Sequence, residues 1–140
     1  MIKKNVVGII TKNKKILLQL RDNKKKIIFP NSWGFFGGSI NLNESHSNAI
    51  KRELFEELNI KNFKTLKFIN THYSAKYKVI FFIYTLKLNE KIFLKEGFDC
   101  DFFNENRILA GKKSNKNGIF FKPAEVNLMK KILFLSKKFL

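Results

Sequence analysis

A chain of 140 residues with 44% hydrophobic residues suits one domain with a real core, and no apolar run approaches the length of a membrane span. Its 28 Lys and Arg against 11 Asp and Glu give a net charge of +17, which favours phosphate-rich partners such as nucleotides or RNA. The single Cys100 rules out an internal disulfide and fits a reducing cytoplasm. The apolar run at residues 6–10 lacks a small-residue cleavage site, so no signal peptide is expected. The charge has a second source. Lys, Asn, Ile and Phe are abundant together, and all have AT-rich codons. The lysines are scattered in sequence, and no RNA-binding or helix-turn-helix signature accompanies them.

In chain order, residues 6–11 read as a buried first strand, residues 13–15 as a turn and residues 16–21 as a second strand. Residues 22–26 are a charged loop, and Ile27 to Phe29 lead to a turn at residues 30–32. Residues 33–36 are short and aromatic and end at a glycine turn, Gly37-Gly38. A helix is expected from about Ser45 to Leu58. Ser45 is its N-cap, Ile50, Leu54 and Leu58 form its apolar face, and Asn59 stands at its end, where a left-handed cap is needed. Residues 63–70 are a strand candidate of mixed alternation, and residues 77–88 are the strongest strand in the chain. Residues 89–97 connect it to a short strand at 100–103. Residues 111–118 are a polar loop. Pro123 opens a last helix, with Val126, Met129, Ile132, Leu133 and Leu135 on its apolar face.

One stretch carries chemistry: Gly38, five residues, Glu44, seven residues, then Arg52-Glu53-Leu54-Phe55-Glu56-Glu57-Leu58-Asn59-Ile60. Glu53, Glu56 and Glu57 stand at i, i+3 and i+4, on one side of a helix. Like charges so placed repel by a few tenths of a kcal/mol per pair. A hard divalent cation would remove that repulsion, and oxygen ligands suit Mg²⁺ or Mn²⁺ better than zinc. The alternative is a solvated acidic face. Arg52 lies one turn before Glu56, close enough to pair with it.

The stretch resembles the Nudix box, GX5EX7REUXEEXGU with U aliphatic, at every fixed position but one: Asn59 replaces the last glycine. The WGFFGG approach, Lys95-Glu96-Gly97 and the C-terminal helix are similar to the MutT branch of that family. The resemblance implies an α/β/α sandwich, a mixed β-sheet between helices, formed by residues 1–140 as one Nudix domain. It implies Glu53, Glu56 and Glu57 as ligands of Mg²⁺ (Mn²⁺ being possible), with the Gly38 carbonyl beside them. Arg52 then orients a glutamate, and Glu44 supports Arg52 or reaches the metal through water. Glu96 is a further candidate ligand or general base, with Glu90 as a weaker rival.

Gly37, Gly38, Trp33 and Arg21 are the substrate-side candidates. Trp33 reads as core or pocket wall, and surface placement is the ordinary fate of Arg21 and Lys26. His46 and His72 have no companion at metal spacing and read as surface histidines. The activity implied is pyrophosphohydrolysis of a nucleoside triphosphate, oxidised or not. An RNA 5′-end hydrolase, a nucleotide-sugar hydrolase and a Nudix-fold binding module without catalysis are the alternatives. Residues 121–125 carry no Asn where the MutT branch reads purines.

Overall fold

The computed structural model describes residues 2–20, 33–95, 99–110 and 123–139. The sheet is built around β1 (Lys3–Lys12). Val6, Val7, Ile9 and Ile10 are all buried, so this strand has no wet face and must lie between two layers. It pairs in parallel with β6 (Val79–Lys87) from Lys3↔Val79 to Thr11↔Lys87. On its other side it pairs with two antiparallel strands in turn. β4 (Phe36–Ser39) covers Asn5 to Gly8, and β2 (Lys15–Leu20) joins at Thr11 and Lys12 through a turn with positive φ at Asn13 and Lys14.

β3 (Trp33–Gly34) and β7 (Asp99–Phe103) both pair with β2, and β5 (Lys67–Ser74) pairs with β6 at the far edge. The order is β3-β2-β1-β6-β5, with β4 on β1 and β7 on β2.

Each face of the sheet carries one core. On one side Val6, Ile10 and Tyr84 meet Ile50, Leu54 and Leu58 of helix α1 (His46–Leu58). Full burial of each such aliphatic side chain contributes about 1.5–3 kcal/mol. On the other, Val7, Ile9 and Ile83 meet Met129, Ile132 and Leu133 of helix α3 (Pro123–Ser136), with Ile108 of the short α2 (Glu105–Ala110). The result is an α/β/α sandwich with a mixed sheet. No helix among the described residues is long and apolar enough to cross a membrane.

α1 begins and ends as its sequence dictates. Ser45 accepts a hydrogen bond from the Asn48 N–H, 3.1 Å away. Asn59 is left-handed (φ 60°, ψ 29°), and its N–H returns to the Leu54 and Phe55 carbonyls. We expect Asn59→Ala to cost about 1 kcal/mol, because an alanine there meets the left-handed penalty without the amide's local hydrogen bonding, and Asn59→Gly to cost nothing. Urea melts of the two variants check this.

Several boundaries differ from the sequence reading. Gly37 and Gly38 are strand residues, paired with Val7 and Val6, and do not form a turn. The strand expected at 63–70 begins at Lys67 and runs to Ser74. Phe63 and Leu66 instead close a turn through Leu66 N–H and Phe63 O, and pack on the α1 core. Tyr77 and Lys78 belong to the β5–β6 turn, with Lys78 at φ 54°. α2 was not expected. Asn104 caps it by accepting the Arg107 N–H at 2.8 Å. α3 ends at Ser136, whose hydroxyl donates back to the Ile132 and Leu133 carbonyls, and one 3₁₀ turn (Lys137–Phe139) follows. The readings at residues 21–32 and 111–122 lie outside the described residues.

Candidate active site

The carboxylates of α1 face the strand that the two glycines form. Glu57 is 4% exposed, and its Oε1 accepts the Gly37 N–H at 3.2 Å. Glu53 lies over Gly38 so closely that a Cβ on residue 38 would meet its Oε1 at 2.5 Å and its Cδ at 2.6 Å. Gly37 has φ 148°, and a Cβ there would stand 2.0 Å from the Val6 carbonyl oxygen. The glycines are therefore needed for close approach, Gly37 to β1 and Gly38 to a carboxylate.

Arg52 ties the loop to the helix. Its Nε and Nη2 grip Glu44 as a fork, at 2.8 and 3.0 Å. Nη1 donates to Glu53 at 3.0 Å and to Glu56 at 3.3 Å, and Nη2 also reaches the Ser39 carbonyl at 3.0 Å. Glu44 further accepts the Asn41 N–H. The hydrogen bond from Arg52 holds the Glu44 carboxyl below its usual range. Burial pushes the Glu53 carboxyl up, against the opposing pull of the Arg52 guanidinium.

Among the described residues, no three His, Cys, Asp or Glu side chains are already gathered into a metal set. Arg52 draws Glu53 and Glu56 toward itself, and Glu57 turns to Gly37. The donors nonetheless fit a hard divalent cation. They are all oxygen, and Glu53 fills the cradle that the missing Gly38 Cβ leaves. Burial disfavours the Glu53 charge, a penalty that a cation would relieve.

The other candidates fall in different places. Trp33 is fully buried, edge-on to Phe103 with ring centroids 4.9 Å apart. It is a core residue and gives no face to a ligand, which corrects its reading as a substrate contact. Glu90 accepts the Lys61 and Asn62 N–H groups at 3.0 and 2.6 Å. It is committed to the backbone after α1 and is no rival for the site. Arg21, Lys26 and Glu96 lie outside the described residues. The residue before Glu96, Lys95, donates its N–H to the Glu57 carbonyl at 2.8 Å, so this segment passes the C-terminal end of α1.

His46 is not a bland surface group. It stacks on Phe82 (4.4 Å, 13°), and its Nδ1 meets the Tyr84 hydroxyl. His72 is half-buried on β5. Burial, and then the Lys131 ammonium, hold its imidazole below the usual range.

Asn5 is a polar residue the sequence reading passed over. It lies opposite Ser39 in the register, and its Oδ1 is buried with no hydrogen-bond partner among the described residues. An amide inside the otherwise apolar run NVVGII is the signal that could have found it.

The structure is a mixed sheet between helices, with an acidic helix face laid on a glycine strand. The chain belongs to the Nudix family, in its MutT-like branch: the NUDIX domain matches residues 1–126. It is 36% identical over 95 residues to the 8-oxo-dGTP diphosphatase of Buchnera aphidicola subsp. Schizaphis graminum, a match covering 66% of this chain and 70% of the relative. Its fold is similar to that of the MutT protein of Methanosarcina mazei Go1 (TM-score 0.72, 19% identity, 96% of this chain and 95% of that one). It is also similar to the MutT NUDIX hydrolase of Burkholderia pseudomallei (TM-score 0.65, 17% identity, 93% and 97%).

Proposed function

We propose that this Nudix hydrolase cleaves a nucleoside triphosphate, in the reducing cytoplasm, to a monophosphate and pyrophosphate with the help of Mg²⁺ or Mn²⁺. The observation that carries the reading is the pair of carboxylates, Glu53 and Glu57, pressed onto the Gly37-Gly38 strand. The bound cation would neutralise phosphate charge and lower the pKa of a water. Glu53, Glu56 and Glu57 would hold it, with the Gly38 backbone close by. Arg52, anchored on Glu44, keeps Glu53 and Glu56 in register. Glu57, whose Oε1 accepts the Gly37 N–H, is placed to hold the ion or to orient an attacking water. The name of the Buchnera relative supports an oxidised purine among the triphosphates.

The test is a turnover panel of ordinary and oxidised nucleoside triphosphates, nucleotide sugars and a 5′-triphosphate RNA, with pyrophosphate and phosphate assayed separately. We expect one triphosphate to lead and pyrophosphate to be released only with Mg²⁺ or Mn²⁺ present. RNA or a nucleotide sugar in the lead would overturn the substrate. Equal turnover in excess chelator would overturn the metal.

A further inference from the structure

Several stretches of this chain are basic without a single carboxylate, and two of them meet in the fold. Residues 61–89 hold six lysines, and residues 126–140 hold four. They are distant in sequence, yet the fold lays them together, because β5 and β6 end the sheet and α3 packs on β5. The carboxylates whose side chains are described lie elsewhere. Four belong to α1 and its approach, Glu90 is held by the backbone N–H groups of Lys61 and Asn62, and the rest are on β7 and α2.

Two depressions along the seam between β5 and α3 share walls, and a third adjoins them where Thr11 of β1 and Thr85 of β6 reach the surface. His72, Lys130 and Lys131 line the first, and Ile69, Asn70 and Lys137 the second, with Phe134 and Leu135 common to both. Lys64, Lys67 and Lys87 line the third, which meets the second at Lys138. No carboxylate is among the described residues that line them. In the middle stands Phe134, 78% exposed, although Ile132 and Leu133 beside it are buried. The depressed His72 imidazole reports the same uncompensated positive field, after burial itself.

A base-composition bias raises lysine numbers throughout a chain. It does not by itself bring two acid-free segments into one seam with an exposed ring at its centre. We propose that this seam binds single-stranded nucleic acid, its lysines following the phosphates and Phe134 stacking on a base. An exposed ring in a groove reaches the face of an unpaired base and not that of a stacked pair, so a single strand fits better than a duplex. The seam is separate from the carboxylate site. From β4 to β5 there are three strand spacings, roughly 14 Å.

The experiment is fluorescence anisotropy with labelled single-stranded oligonucleotides of RNA and DNA, a matched duplex, and inorganic polyphosphate as competitor, across a salt series. Two triple variants lose the same charge: Lys67, Lys131 and Lys137→Gln in the seam, and Lys4, Lys51 and Lys91→Gln away from it. We expect the seam variant to bind single strands about tenfold more weakly and to lower the log–log salt slope by about 2, near the 0.7 per phosphate typical of single strands. The other triple should change affinity by less than about twofold, since none of its charges lines the seam. Phe134→Ser should weaken oligonucleotide binding and leave polyphosphate binding as it was. Nucleoside triphosphate turnover should be unchanged in the seam variant and in Phe134→Ser.

Equal losses in the two triples would mean that total charge, not the seam, does the binding, and would overturn the proposal. So would preference for the duplex, full displacement by polyphosphate at matched phosphate concentration, or no binding at low salt.

Discussion

Glu57→Gln should abolish turnover while leaving the fold as stable as before, or more so. Glutamine keeps the volume of the side chain, and its amide oxygen can still accept the Gly37 N–H. What it loses is a charge that is almost wholly buried, 4% exposed, one helical turn from Glu53. Removing a buried ionisable group spares the resting protein a desolvation cost, for a gain of up to about 1 kcal/mol. It also removes one ligand, or the base, from the cation site. Loss of metal-borne transition-state stabilisation of about 4 kcal/mol lowers kcat about 10³-fold. Mg²⁺ should raise the Tm of the wild type, because a ligand that binds only the folded state stabilises it by mass action, and this rise should shrink or vanish in the variant. A Glu57→Gln enzyme within tenfold of wild-type kcat, or one that melts well below it, would place the working carboxylate elsewhere.

The helix that carries this chemistry was legible because each of its signals is local. Ser45, the four-residue spacing of Ile50, Leu54 and Leu58, and Asn59 all act within one or two turns, and the structure ends α1 where they do. β1 and β6 were legible as dense apolar or β-branched runs. β5 was harder to place. As an edge strand with α3 over part of one face, it shows exposed side chains at most positions and gives little period-2 alternation. Six residues of α2 are too few for a helical period to appear.

The site was legible as composition and less so as geometry. The Glu44–Arg52 fork joins residues eight apart across a loop, and Arg52 also reaches a backbone carbonyl that no sequence pattern announces. The partners of His46 come from β5 and β6, more than twenty residues away. Its ring could not be told from a solvent-exposed one until the strands were in place.

The two adjacent glycines should fail in different ways when each is replaced by alanine. They read alike in the sequence, as a turn, and the structure gives them opposite surroundings. At Gly37 the added Cβ would meet the backbone of β1, 2.0 Å from the Val6 oxygen and 2.9 Å from its carbon, at a φ of 148° that side chains rarely adopt. Neither strand can move without breaking the pairing of Asn5 to Gly8 with β4. Gly37→Ala should therefore destabilise folding by about 3 kcal/mol or more, a Tm loss of roughly 10 °C for a chain of this size, with activity per folded molecule falling as the Glu57 contact shifts. At Gly38 the obstacle is the end of a side chain. The Cβ would stand 2.5 Å from Glu53 Oε1, and the carboxylate can swing away. Gly38→Ala should thus melt within about 1 kcal/mol of wild type, since Glu53 is only half-buried and moves toward water. Its kcat should fall about 10²-fold, the scale expected when a catalytic group is displaced by about 1 Å. Thermal melts and single-substrate kinetics on both variants separate the effects. A stable Gly37→Ala would show that β4 does not approach β1 so tightly. A fully active Gly38→Ala would show that the chemistry does not depend on Glu53 lying against residue 38.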